Sequence, residues 1–392
     1  MRYFKFIGFL FILNISIIRL QAQTIKNNLK GDSSKTSQED TTQKKGFLKS
    51  IIHYFNEAKK DKSQKKFDIS FIAGPNYSKD TKFGIGMLGS GIYRIDKNDL
   101  SLSPSDVSLY ANITTSGFFA VGIDGHTIFP EDKYRINYDT YFAYMPKNYF
   151  GIGYAAGRAG KATKFDEYTL SAKADFLRQI IENAYIGISL SAQNIKGKHF
   201  DKKDMIPTGD LNNTIVGAGF ILSYDSRDFI PNPYQGVLLK YEQNFYPEAL
   251  GSTHAFNRIK FTARTYKNIW KKGILAFDFN GIFNNGDVPW SMLSELGSSR
   301  QMRGYYSGQY RDRHQLNTQI ELRQKIKNRH GFVVWAGVGA VFDAFHDLDW
   351  GQILPTYGIG YRWEFKHRVN IRLDFGVGRG QTGFYFNVNE AF

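Results

Sequence analysis

Two stretches near the end of the chain, Gln315–Ile326 (QLNTQIELRQKI) and Phe332–Asp343 (FVVWAGVGAVFD), decide the fold. In the first, Leu316, Thr318, Ile320, Leu322 and Ile326 fall on one face, while Gln315, Asn317, Gln319, Glu321, Arg323 and Lys325 fall on the other. In the second, every even position from Phe332 to Phe342 is apolar, and Trp335, Gly337, Gly339 and Asp343 occupy the opposite face. A repeat of two is the signature of a β-strand with chemically different faces. Charge on one side and hydrocarbon on the other fits a strand with lipid outside and a wet lumen inside.

The same alternation extends outward along the chain. Ile259, Phe261, Ala263 and Thr265 alternate with Arg258, Lys260, Thr262 and Arg264. Tyr168, Leu170, Ala172, Ala174 and Phe176 alternate with Thr169, Ser171, Lys173 and Asp175. A soluble sandwich would bury its apolar faces against each other in a dry core, and so many strands of one pattern do not suit it. From Phe67 to Phe392 the length supports about sixteen strands at roughly ten residues each plus connections. The expected fold is all-β: a closed antiparallel transmembrane barrel.

Composition agrees. Aromatic residues make up 16% of the chain, with 33 Phe and 24 Tyr, yet the mean hydropathy is −0.39. Many aromatics without long apolar runs is what a barrel with interfacial girdles requires. The net charge of +15, from 51 Lys and Arg against 36 Asp and Glu, is spread along alternating strands. It suits a basic lumen or attraction to anionic head groups such as those of lipopolysaccharide, and no nucleic-acid partner is expected. There is no cysteine, hence no disulfide and no lipid-attachment site.

Residues 1–22 read as a signal peptide: Arg2 and Lys5, an apolar run Phe6–Ile18, and Leu20-Gln21-Ala22 as the cleavage site. Residues 23–66 read as a basic periplasmic linker. Gly31–Lys45 is polar and lacks aromatics, and Phe47, Leu48, Ile51, Ile52 and Phe55 recur at helical spacing. That spacing predicts a short amphipathic helix over about 46–60. The helix would either pack on the barrel rim or dock on a membrane surface or partner. Residues 67–392 form the barrel.

A long loop leads into the Gln315–Ile326 strand. Leu296–Arg323 reads LGSSRQMRGYYSGQYRDRHQLNTQIELR, with the tip Met302-Arg303-Gly304-Tyr305. The run resembles the lumen-inserted loop of the BamA/TamA-type outer-membrane assembly and translocation superfamily, the bacterial surface antigen barrels. The segment Tyr224-Asp225-Ser226-Arg227-Asp228, followed by Pro231, Pro233 and Gly236, resembles that family's rigid periplasmic turn. The last strand places Phe384, Phe386, Val388 and Phe392 on one face, similar to the terminal signal read by the barrel-assembly machinery, with Glu390 interrupting it. The resemblance covers the C-terminal half; the first strands match in pattern only.

The resemblance implies that Arg303 is pinned in the lumen by carboxylates on the following strands, either as a pure plug or with a share in gating. Glu321 matches the first such carboxylate. At the second the family's aspartate is replaced by Gly337, and Asp343, further along the same face, is the candidate substitute. The resemblance further implies insertion or translocation of proteins at the outer membrane of a Gram-negative bacterium. Lateral opening would occur where Phe67–Gly74 meets Phe384–Phe392. Protein clients or a separate periplasmic partner would be involved. The family's periplasmic POTRA domains have no counterpart in residues 23–66, which are too few to hold one. A passive channel for small solutes and a structural subunit of an envelope complex are the alternatives. No enzyme is expected: there is no G-x-S-x-G and no H-E-x-x-H. The histidines lack metal-ligand spacing, so neither a metal nor a cofactor is expected. His346, with Asp343, Asp347 and Asp349, reads as a solvated loop.

Overall fold

The computed structural model describes residues 67–392 except 79, 97–104, 206, 208, 231 and 367. The expected signal peptide, linker and amphipathic helix lie outside the described residues. The first strands are β1 (Phe67–Ser78), β2 (Lys82–Tyr93), β3 (Ser105–Thr114), β4 (Phe119–Ile128), β5 (Tyr134–Tyr149) and β6 (Thr163–Ile181). Then come β7 (Ala184–Lys198), β8 (Asn212–Asp225), β9 (Gly236–Tyr246), β10 (Phe256–Trp270) and β11 (Gly273–Gly286). Two short strands, β12 (Ser294–Leu296) and β13 (Tyr310–Asp312), form a separate hairpin. The rest are β14 (His314–Lys327), β15 (His330–Phe342), β16 (Leu354–Lys366), β17 (Val369–Gly378) and β18 (Gln381–Val388). All but β12 and β13 belong to one closed antiparallel barrel, sixteen strands in sequence order, which closes between β1 and β18.

The faces follow the period-two reading. On β14, Ile320 is 46% exposed on the outside while its neighbour Glu321 is fully buried inside. Leu170 and Phe176 on β6 point outward, with Ser171 and Asp175 buried between them. Apolar out and charged in reverses the order of a soluble core, and only lipid makes that arrangement favourable. No described helix is long and apolar enough to span a membrane.

At one end, called here the terminal end, connections such as Glu182-Asn183 and Lys271-Lys272 are tight. The other, the loop end, carries α1 (Gly153–Ala159) and the long excursion between β11 and β14. The closing seam is the weak point of the ladder. β1 pairs with β2 along its whole length, Phe67 to Ser78. It meets β18 through a single ladder pair, Tyr77 with Phe386. β18 itself pairs with β17 from Gln381 to Val388.

Beyond β18 the chain leaves the wall. Asn389 takes a left-handed backbone (φ 67°), and Ala391 and Phe392 turn inward against Tyr266 and Ala276. The expected common face of the last strand is thereby corrected. Phe384 faces outward, but Phe392 lies buried inside, because the turn at Asn389 breaks the alternation that would have placed the two together.

Candidate functional site: a loop pinned inside the barrel

The β11–β14 excursion folds back into the lumen and ends in a tight tip. Met302 (φ 50°) and Gly304 (φ 111°) both take left-handed backbone, which turns the chain sharply about Arg303. A side chain at Gly304 would also collide with the wall, since its Cβ would sit 2.8 Å from Gly378 N. From the other side, a Cβ on Gly376 would lie 2.7 Å from the Arg303 carbonyl. Glycine on both surfaces therefore lets two backbones touch.

Arg303 is completely buried. Nη2 donates to Glu321 Oε2 at 2.5 Å, and Nη1 donates to Asp374 Oδ2 at 2.9 Å. The guanidinium stacks 3.6 Å from the ring centre of Trp335. Backbone contacts complete the clamp: Thr356 Oγ1 donates to the Arg303 carbonyl at 2.5 Å, and Gly304 N donates to Tyr385 Oη at 2.9 Å. Tyr305 Oη donates to the Pro355 carbonyl at 2.6 Å and accepts from Arg379 N at 2.8 Å. Met302 and Tyr305 pack with Leu296, Tyr310, Val341 and Leu354 in one apolar cluster.

A planar guanidinium between two carboxylates and over an indole is held by charge-assisted hydrogen bonds and a cation–π contact together, out of water. Breaking it by removing one partner leaves an uncompensated buried charge. The site can therefore fix the loop in one place.

Glu321 lies where the sequence placed it. Asp343 does not reach Arg303: it follows the end of β15 and pairs with Arg313 at 3.0 Å in an exposed position. The second carboxylate is Asp374, two strands further round the wall from Gly337. Its signal was present in the alternation of Asn370–Gly378, where Arg372 and Asp374 share a face opposite Ile371, Leu373 and Phe375. Asp347 and Asp349 accept from the backbone amides of Ala344 and Gly351. They shape the β15–β16 loop from within.

A second clamp holds the base of the excursion. Arg311 Nη2 meets Glu295 at 2.8 Å, and Lys147 on β5 meets Glu295 at 3.2 Å and Glu167 at 3.1 Å. Burial alone would raise the Glu295 carboxyl, but Lys147 and Arg311 outweigh it and bring it down to about 2, so it stays ionised. Gly157 of α1 packs against the Tyr310 ring, and Gln309 donates to the Gly157 carbonyl.

The turn motif sits at the terminal end. Asp225 accepts two bonds from Arg227, 2.8 and 2.7 Å. Asp228 Oδ1 accepts from Tyr234 N, and Gly236 (φ 109°) lies too close to Ser226 for any side chain. The turn does more than connect β8 to β9. Asp228 meets Arg368, in the β16–β17 turn, at 2.8 Å, and Arg368 stacks on Tyr234.

Fold and loop together define a class: an outer-membrane-type barrel with a loop-end excursion locked in its lumen. The Omp85 superfamily domain model matches residues 100–392. The chain belongs to the Omp85 superfamily, whose members are outer-membrane proteins of Gram-negative bacteria. Among solved structures it resembles BamA from Haemophilus ducreyi lacking POTRA domains 1–3, with 13% identity and a TM-score of 0.54, covering 83% of this chain and 70% of that one. It is also similar to CdiB from Acinetobacter baumannii, with 12% identity and a TM-score of 0.56, covering 83% of this chain and 60% of that one. CdiB from Escherichia coli gives 11% identity and a TM-score of 0.53, covering 88% and 70%. At these identities the likeness is one of fold. No curated protein matches the sequence. The described residues hold the barrel and no POTRA unit.

Proposed function

We propose that this barrel inserts or translocates proteins at the outer membrane, without enzymatic chemistry, by parting at the seam between β1 and β18. The observation that carries the reading is the seam itself. One residue pair joins the strands, whereas neighbouring ladders run the length of their strands. The short ladder leaves β1 as the edge that an incoming strand would extend by strand addition. On the outer side an apolar groove of about 400 Å³ runs between Pro75, Tyr77, Phe83, Phe384 and Phe386. Family membership supports the same role, with the loop end outside and the terminal end in the periplasm. Lipopolysaccharide would surround the outer leaflet, and the barrel-assembly machinery would insert the barrel itself.

The chain has no cysteine of its own, so a disulfide between Tyr77→Cys and Phe386→Cys would lock the seam cleanly. In proteoliposomes, insertion of an unfolded client barrel should stop on oxidation and return with reductant. Full activity of the oxidised barrel would sink the proposal. Steady conductance with no effect on any client would instead favour a passive channel for small solutes.

A further inference from the structure

Below the loop tip the buried charges close into a ring. Arg303 meets Glu321 at 2.5 Å, and Glu321 meets Arg323 at 2.8 Å. Arg323 lies 4.0 Å from Glu390, Glu390 meets Arg362 at 2.8 Å, and Arg362 meets Asp374 at 2.6 Å. Asp374 returns to Arg303 at 2.9 Å. Guanidinium and carboxylate alternate all the way round, and each of these side chains is nearly or wholly buried. One member, Glu390, belongs to the segment that turns inward after β18. The next residues are held too: Arg323 Nη2 donates to the Phe392 carbonyl at 2.7 Å and its guanidinium stacks on the Phe392 ring, while Asn370 donates to Glu390 at 2.6 Å.

We infer that the loop tip and the segment Asn389–Phe392 are two halves of one electrostatic latch, so that each holds the other inside the barrel. Arg372 also binds Asp374, at 2.8 Å, so the wall itself supplies three arginines (323, 362, 372) and two carboxylates (321, 374). With Arg303 inserted the site is +2 before Glu390 enters; without Arg303 it is +1. Glu390 is therefore held more strongly when the tip is in. Equally, Arg303 enters a neutral site when Glu390 is seated and a +1 site when it is not. Among side chains this deeply buried such differences are felt strongly, and coupling of this kind acts equally in both directions.

The consequence for the barrel is specific. While the ring is closed, the residues after Val388 are committed to the lumen and cannot run on beside β1. Withdrawal of the tip loosens them. The coupling is a property of the folded barrel and is read without any client, so its failure and that of the seam reading are separable.

A single cysteine at Ala391, which is 2% exposed, reports seating through its rate of maleimide labelling in the folded, vesicle-embedded barrel. Ala391→Cys alone should label slowly. Adding Arg303→Met should speed labelling about fivefold or more, the low end of ordinary coupling. Arg303→Lys, which keeps the charge, should fall clearly short of that. An unchanged rate in Arg303→Met, beside rapid labelling in Glu390→Gln, would overturn the inference. Equal acceleration by Arg303→Lys and Arg303→Met would overturn its electrostatic basis. Should Arg303→Met fail to give a heat-modifiable barrel, the reverse direction decides. Met302→Cys at the tip should label faster in the Glu390→Gln background, and no change there would refute the latch.

Discussion

The wall from β14 to β17 and the seam between β1 and β18 belong to one sheet but are held by opposite means. The wall carries continuous ladders and, on its inner face, buried arginines and carboxylates that pair with one another around the loop tip. The seam has one backbone pair, an outward tyrosine against a phenylalanine (Tyr77 and Phe384, ring centres 5.9 Å apart), and no buried ion pair between its two strands among the described residues. Buried ion pairs contribute little net stability when complete, yet cost several kcal/mol when broken. They are therefore suited to fixing a geometry, while a short ladder is suited to coming apart. The rigid region and the labile region adjoin, since β17 of the wall pairs with β18 of the seam.

That contrast can be broken most directly at Arg303. Arg303→Ala should cost about 3–5 kcal/mol, because Glu321 and Asp374 each lose a buried charge-assisted hydrogen bond and the tip loses its anchor. The measurement is the urea midpoint of heat-modifiable mobility in vesicles; a loss below about 1 kcal/mol would mean the tip does not pin the loop. Gly376→Ala comes next, at about 1–3 kcal/mol, since the new methyl would meet the Arg303 carbonyl and force loop and wall apart. The same titration should show it, and a neutral result would imply that the loop has room to move. At the seam, Tyr77→Ala should cost no more than about 1 kcal/mol, the scale of one cross-strand pair. A larger loss would show that the seam is stronger than its register suggests. Asp343→Asn should be smallest, well under about 1 kcal/mol, because its pair with Arg313 is exposed to solvent. Asp374→Asn in the same assay should stand near Arg303→Ala. If the two aspartates ranked the other way, the assignment of the second carboxylate would be wrong.

Much of this is legible in the chain. Strict alternation marks the strands, and parity alone puts Glu321 inside, opposite Ile320. The same parity applied to Arg372 and Asp374 supplies the missing partner. Gly337 points instead along β15 to Asp343, which is misleading because the lumen lets a side chain two strands away fill the gap. Phe392 cannot be placed by periodicity, since one left-handed residue, Asn389, ends the strand and turns the chain inward. The charge at Glu390 is the available clue: a carboxylate that spoils an outward apolar face is a carboxylate with a reason to point in. What no pattern in the sequence discloses is the contact of two turns far apart in the chain, Asp228 with Arg368.

That contact has a mechanical meaning. A hoop cut at one point goes slack throughout, but a hoop with a chord tied across it yields only on the side of the cut. The tie between the β8–β9 and β16–β17 turns is such a chord, with β10, β11, β14 and β15 on its far side. If the seam parts, the bending should fall on β1 to β8 and on β17 and β18, and the arc from β9 to β16 should keep its shape.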